Sequence, residues 1–187
     1  KLGWTDVLLL EGKRLTSGTT WHAAGLIGQL RATANLTRLA KYTTDLYTSL
    51  EEETGISTGF RQCGSISVAL TEERREELLR SAAMARSFGV PVEELSPAEI
   101  AARYEPLNID GVTGGVHLPS DGQGDPANIA LALAKGARMR GATIREGVKV
   151  TGVAREGRRV TGVHWQDESG ATGHIACDEV VNCAGMW

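Results

Sequence analysis

The sequence predicts an α/β fold: a domain built on a parallel sheet, interrupted by a second lobe of mixed sheet and helices, and incomplete at both ends. Two observations predict it. Asp6-Val7-Leu8-Leu9-Leu10-Glu11 is a short, almost unbroken apolar run ending in an acid, the pattern of a central parallel strand covered on both faces. The elements that follow run loop, helices, strand, helix, strand and hairpin, an order that suits an α/β domain with an inserted lobe. The predicted division is residues 1–31 and 121–187 for the sheet domain and 32–120 for the lobe.

Each element has a local reason. Gly12 to Gly28 is rich in Gly, Ser and Thr, so its backbone and hydroxyl donors suit a polar ligand. Leu36, Leu39, Ala40, Leu46, Tyr47 and Leu50 recur at helical spacing within 35–54, and Gly55 closes that helix. Residues 64–70 alternate as a strand; Thr71 caps a charged helix over 72–88 that ends at Gly89. Ser96-Pro97-Ala98-Glu99 has a cap, an N1 proline and a capping-box glutamate, which starts a short helix. Residues 111–118 read as a glycine-rich strand and 119–124 as a turn. Asp125-Pro126 then opens a helix to Arg140, ended by Gly141. Strands follow at 142–145, 148–154 and 160–166, the last two a hairpin, and a short apolar strand at 179–182. There is no internal repeat.

Composition narrows the function. With 187 residues and 41% apolar content the chain can bury a sizeable core. The net charge of 20 − 23 = −3, without a basic block, disfavours nucleic acid and anionic membrane surfaces as partners, which leaves a small molecule. No run of 18 apolar residues suggests a membrane span, and the opening residues lack the pattern of a signal peptide. Cys63, Cys177 and Cys183 are odd in number and lack metal-ligand spacing, so they read as reduced, buried thiols rather than a disulfide framework or a metal site. The missing initiator Met and the opening Lys1-Leu2-Gly3, which reads as the end of a helix with its Gly cap, suggest an internal segment of a longer chain.

Two residues stand out for chemistry. A carboxylate at the end of a parallel strand can accept hydrogen bonds from both hydroxyls of an adenosine ribose, and Glu11 has that place. His22 follows Trp21 in a loop about ten residues beyond Glu11 and precedes Ala23-Ala24-Gly25, whose small side chains let a planar ring approach the backbone. Other polar residues have simpler explanations. Asp125 before Pro126 is a helix cap; Asp121 is an acid of the lobe; His117, His164 and His174 are surface or satisfied residues; Trp165 packs; Arg61 is an exposed arginine that could attract a carboxylate.

Glu11 to Leu26, with Trp21-His22-Ala23-Ala24-Gly25-Leu26 at its end, resembles the segment of the dimethylglycine and sarcosine dehydrogenase family, in the D-amino-acid-oxidase-like superfamily, that carries a histidine bonded to FAD. Arg61-Gln62-Cys63-Gly64-Ser65-Ile66, Pro119-Ser120-Asp121-Gly122-Gln123-Gly124-Asp125-Pro126 and Val181-Asn182-Cys183-Ala184-Gly185-Met186-Trp187 match in family order, so the resemblance spans the whole chain. It implies a Rossmann-like FAD-binding domain, with Glu11 on the adenosine ribose and Gly12 beside it. Gly18, Thr19, Thr20, Trp21, Ala23, Ala24, Gly25 and Leu26 would wrap the flavin end, and His22 would bond to the 8α-methyl carbon. Val150 would meet the adenine through its backbone. Ala184, Gly185 and Trp187 would form a second approach to FAD; Cys183 departs from the family's usual Ala.

The resemblance further implies oxidative demethylation of an N-methylglycine-type amine by hydride transfer to flavin. Electron-transfer flavoprotein would be the acceptor, and tetrahydrofolate would act at a separate C-terminal domain. The groups touching substrate would lie beyond Trp187, so this chain alone would not turn over. Relatives work in the mitochondrial matrix in eukaryotes and the cytoplasm in bacteria. The alternatives are an amine or amino-acid oxidase of the same superfamily that uses oxygen, and a non-catalytic regulatory relative.

Overall fold

The structure is a computed structural model and describes residues 3–185. It divides into two compact units, residues 1–22 with 133–187, and 23–132.

In the first unit, β1 (Leu8–Glu11) pairs in parallel with β7 (Thr143–Glu146), Leu8 opposite Thr143 and Glu11 opposite Glu146. The parallel pairing agrees with the apolar run, but the expectation of a central strand covered on both faces is corrected. Among the described residues β7 is the only strand paired with β1, and Leu9 is 43% exposed. An antiparallel meander follows: β8 (Val148–Glu156), β9 (Arg159–Asp167) and β10 (Thr172–Ala176). Val150 faces Trp165 and Gly152 faces His164, so Thr151 is an extra residue, a bulge that bends the strand just after Val150. Trp165 packs over Gly173, where a Cβ would collide with the indole. The strand expected at 179–182 does not form: Val181 is 83% exposed, and these residues join no ladder among those described. Apolar β-branched residues make a strand only where a partner accepts their backbone bonds.

The second unit carries the principal core. Its sheet has the order β3 (Ser65–Ala69), β5 (Gly114–Leu118), β4 (Glu93–Leu95), all antiparallel. Helix α2 (Glu72–Ser87), capped by Thr71, lays Leu78, Ala82 and Ala85 on Ala69, Val116 and Leu118. The glycines of β5 allow close approach. A Cβ on Gly115 would press on the Ser67 carbonyl and stand 3.0 Å from Cδ1 of the fully buried Ile100, on α3 (Pro97–Arg103). Ser96 and Glu99 form the expected capping box.

Helix α1 (Ala34–Thr54) starts at Thr33 and ends at Gly55, whose φ of 69° needs glycine. Its buried face differs from the leucine pattern. Thr37, Thr44, Leu50 and Thr54 are buried while Leu36, Leu39 and Tyr42 are exposed. Threonine can be buried here because its hydroxyl bonds back to the helix, as Thr44 does to Ala40 at 3.1 Å and Thr54 to Leu50 at 2.7 Å. The segment expected as a turn at 119–124 contains β6 (Gly122–Gln123), antiparallel to β2 (Leu26–Ile27). Helix α4 (Pro126–Met139) begins as predicted, with Asp125 Oδ1 accepting the N–H groups of Ala127 and Asn128.

Candidate functional site

The first part of the site is built at the end of the β1–β7 pair. Parallel register places the strand-end carboxylates of Glu11 and Glu146 side by side, and each turns to the loop that leaves β1. Glu11 Oε1 accepts the Lys13 N–H at 2.9 Å; Glu146 Oε1 accepts the Leu15 N–H at 2.6 Å. The Gly147 N–H donates to the Lys13 carbonyl at 2.7 Å. Three bonds thus fasten the first turn of the loop, leaving Glu11 Oε2 without a hydrogen bond among the described residues. The backbone of Lys149 lies 3.9 Å from the Cβ position of Gly12, which puts the start of β8, and hence Val150, beside the strand end. Sequence reasoning missed Glu146. Its signal was the acid closing Thr143-Ile144-Arg145-Glu146 just before Gly147, the same strand-end position as Glu11.

Beyond this anchor the loop tightens. Ser17 N–H and Oγ both donate to the Arg14 carbonyl, at 3.1 and 2.8 Å, and Thr16 has a φ of 70°. A 3-10 turn, Thr20–His22, closes with the His22 N–H on the Thr19 carbonyl at 3.2 Å. Trp21 and His22 stack with centroids 3.7 Å apart and planes inclined by 31°. Both are exposed, Trp21 by 60%, and Gly18 faces open space. Ala184 and Gly185 are exposed; Ala184 N–H bonds locally to Asn182 Oδ1 at 3.0 Å, and Gly185 has a φ of 80°. Trp187 lies outside the described residues.

The second unit holds Ala23, Ala24, Gly25 and Leu26. Gly25 has a φ of 75°, and its carbonyl accepts the Gly124 N–H at 2.9 Å. Ile27 Cδ1 lies beneath Gly124, while Leu26, the next side chain on β2, is 81% exposed. Asp121 is buried and pins the far end of β2. It accepts the Gln29 N–H at 2.8 Å on Oδ1 and the Ser65 hydroxyl at 2.6 Å on Oδ2. Gln29 Nε2 donates to the Ser120 carbonyl at 2.8 Å. The 121–125 segment is therefore the holder of β2, which the sequence signalled only as a shared motif.

The other polar candidates are structural. His117 meets Arg103 Nη1 at 3.0 Å and Glu93 at 3.4 Å; Arg103 pairs with Glu93 at 2.7 Å and holds its carboxyl below the usual range. His164 and His174 face each other across β9 and β10 with centroids 5.1 Å apart. Arg61 bridges Gln123 through its backbone, and its side chain is exposed. All three thiols are free, as expected, but Cys63 and Cys183 are exposed and Cys177 half-buried, which corrects the expectation of burial; the first two sit in irregular loops rather than on a core face. Among the described residues no three metal-ligating side chains converge, and no helix is long and apolar enough to cross a membrane.

The residues assigned to FAD by resemblance suit that ligand. FAD has flat ring systems, which apolar side chains can cover, and an adenosine ribose, whose hydroxyls suit an acceptor at a strand end. Trp21, Leu26 and Val150 are large apolar side chains held exposed by ordered backbone, and Glu11 has an unused carboxylate oxygen.

Human mitochondrial sarcosine dehydrogenase is 41% identical over 193 residues, covering 100% of this chain and 20% of the relative. The 4-methylaminobutanoate oxidase (formaldehyde-forming) of Paenarthrobacter nicotinovorans is 41% identical over 185 residues, covering 99% of this chain and 22% of the relative. The chain thus spans about a fifth of the length of these curated relatives. The crystal structure of L-proline dehydrogenase from P. horikoshii superposes with a TM-score of 0.86 at 27% identity, over 96% of this chain and 46% of that one. Residues 1–187 match the family model described as FAD dependent oxidoreductase, and the chain belongs to that family.

Proposed function

We propose that this chain is the FAD-holding part of an enzyme that oxidatively demethylates an N-methylglycine-type amine, sarcosine or dimethylglycine, with FAD tethered through His22. The observation that carries the reading is the Trp21–His22 turn, which presents an imidazole to solvent on an ordered loop anchored beside the Glu11 strand end. When bound, FAD would supply the acceptor for a hydride leaving the substrate's N-methyl carbon.

The chain's own residues bind and orient. Glu11 takes the ribose hydroxyls on the oxygen that Lys13 leaves unused, with Gly12 and the backbone of Val150 at the adenine end. Gly18, Thr19, Thr20, Trp21, Ala23, Ala24, Gly25 and Leu26 line the flavin end, and Ala184, Gly185 and Trp187 supply the second approach. A tether at His22 keeps the reacting ring in register between turnovers. Residues 1–31 and 121–187 form the cofactor domain in this proposal, and 32–120 the substrate lobe. Electron-transfer flavoprotein as acceptor, tetrahydrofolate at a further domain, and a mitochondrial-matrix or bacterial cytoplasmic setting belong to the same proposal. The 41% identity to an oxidase favours a second reading, in which oxygen takes the electrons.

The test is to produce the protein from its gene with riboflavin supplied, denature it in acid, and follow flavin fluorescence on a denaturing gel. Fluorescence should migrate with the wild-type polypeptide and be lost in His22→Ala. Flavin released by denaturing the wild type overturns the tether. Oxygen uptake against dye reduction with sarcosine and dimethylglycine then separates dehydrogenase from oxidase.

A further inference from the structure

Within residues 23–132 the flank of α1 and the segment 58–62 enclose an open recess of about 190 Å³, lined by Tyr47, Thr48, Glu51, Thr58, Phe60 and Gln62. Two of its walls are aromatic, with ring centroids 6.4 Å apart and planes inclined by 67°. Glu51 is the one residue of the six that carries a charge at neutral pH, and it is exposed. We propose that this recess is a binding site for an N-methylated ammonium head group, with Tyr47 and Phe60 as its aromatic walls and Glu51 as its counter-charge.

Size, charge and rigidity support that class of ligand. At about 190 Å³ and open to solvent, the recess has room for a small alkylated head group. A methylated ammonium spreads its charge over apolar methyl groups, so it is attracted to ring faces while costing little to desolvate, and the attraction acts within about 6 Å of a ring centroid. The two rings meet edge to face with centroids 6.4 Å apart, so a cation in the recess can sit over the face of one ring with the other ring beside it. The Tyr47 wall is neutral at physiological pH, since a phenol ordinarily ionises near 10 and burial pushes this one further up. Glu51 Oε2 accepts the Ser57 hydroxyl at 2.9 Å, which fixes the carboxylate at the rim. The opposite wall is equally fixed: the Phe60 N–H bonds to Thr58 Oγ1 at 3.2 Å, Gln62 Nε2 donates to the Ser120 carbonyl at 2.9 Å, and Arg61 bridges Gln123. A site whose walls are ordered before binding loses less on binding. The inference concerns binding alone and stands whether or not His22 carries a flavin.

The probe pair is choline and 3,3-dimethylbutan-1-ol, which differ by carbon in place of the charged nitrogen. Titrating each into the whole 187-residue chain, followed by amide chemical shifts, should give saturable choline binding with shifts centred on residues 47–62. The neutral isostere should bind about tenfold more weakly, the order a cation–π contribution supplies. Glu51→Gln should weaken choline and leave the isostere unchanged; Tyr47→Leu should weaken choline most, with the fold checked by circular dichroism. Equal affinity for the two probes, no saturable choline binding, or shifts centred elsewhere overturns the proposal. Should Tyr47→Leu fail to fold, the probe pair on the wild type and the surface change Glu51→Gln decide the matter.

Discussion

The carbonyl oxygen of Gly124 occupies the space where a side chain on Gly25 would begin, and the Gly124 N–H donates to the Gly25 carbonyl at 2.9 Å. Gly25 also has a φ of 75°, so it is held by sterics and by backbone conformation at once. Two segments almost a hundred residues apart in sequence meet there without a side chain between them.

Gly25→Ala should therefore destabilise the second unit by about 2–4 kcal/mol, since neither the φ nor the backbone contact can relax cheaply. Gly18→Ala is the control: nothing lies within 4 Å of its added Cβ, so stability should move by less than about 0.5 kcal/mol. Urea unfolding of both variants against the wild type measures the difference. Equal stabilities would remove Gly25 from its place in the fold.

Asp121 supports the same strand from its other end. Asp121→Asn keeps the volume but turns an amide towards one of two donors, the Gln29 N–H or the Ser65 hydroxyl. A buried donor left without an acceptor costs about 1–3 kcal/mol. In a double-mutant cycle with Ser65→Ala the two losses should be less than additive, because the variants remove one shared bond. Full additivity would mean that the Ser65 contact contributes nothing.

The ion pair between Glu93 on β4 and Arg103 on α3 predicts a pH dependence. Hydrogen bonds from Arg103 and then His117 hold the Glu93 carboxyl below its usual 4.5. A depressed folded value gives a contribution that is complete above the unfolded value and fades as pH falls through the folded one. Thermal midpoints of wild type and Glu93→Gln should differ slightly at pH 7, the pair being exposed, and converge as pH drops below 4.5. A gap that stays constant to pH 2 would rule the linkage out.

How far the sequence was readable follows from which forces are local. Thr71, Ser96 and Asp125 cap helices through bonds spanning three residues or fewer, and all three were legible at once. The buried face of α1 was not, because the threonines that fill it satisfy their hydroxyls on nearby backbone, Thr44 and Thr54 within the helix and Thr37 on Arg31 just before it, which hydrophobic spacing does not register. Residues 119–124 read as a turn since their strand character comes from Leu26 and Ile27, far away in sequence. At the candidate site Glu11 was visible as an acid ending an apolar run. Glu146 ends the run Thr143-Ile144-Arg145-Glu146 in the same way, but its place beside Glu11 depends on the parallel register, which is not local.

That register gives the last prediction. Glu146 and Glu11 share the loop after β1, but their tasks differ: Glu146 uses both oxygens within the fold, Oε1 on the Leu15 N–H and Oε2 4.0 Å from the Arg138 guanidinium, whereas Glu11 has an oxygen to spare. In a His22→Ala background, where any flavin must be held without a covalent bond, Glu11→Gln should weaken FAD retention by about tenfold through loss of a charge-assisted bond to a ribose hydroxyl. Riboflavin 5′-phosphate, which lacks the adenosine ribose, should be unaffected by that change. Glu146→Gln should instead loosen the loop and weaken both ligands alike. Equilibrium dialysis of the two flavins against the three proteins separates the roles, and equal weakening of both flavins by Glu11→Gln would make Glu11 a loop anchor of the same kind as Glu146.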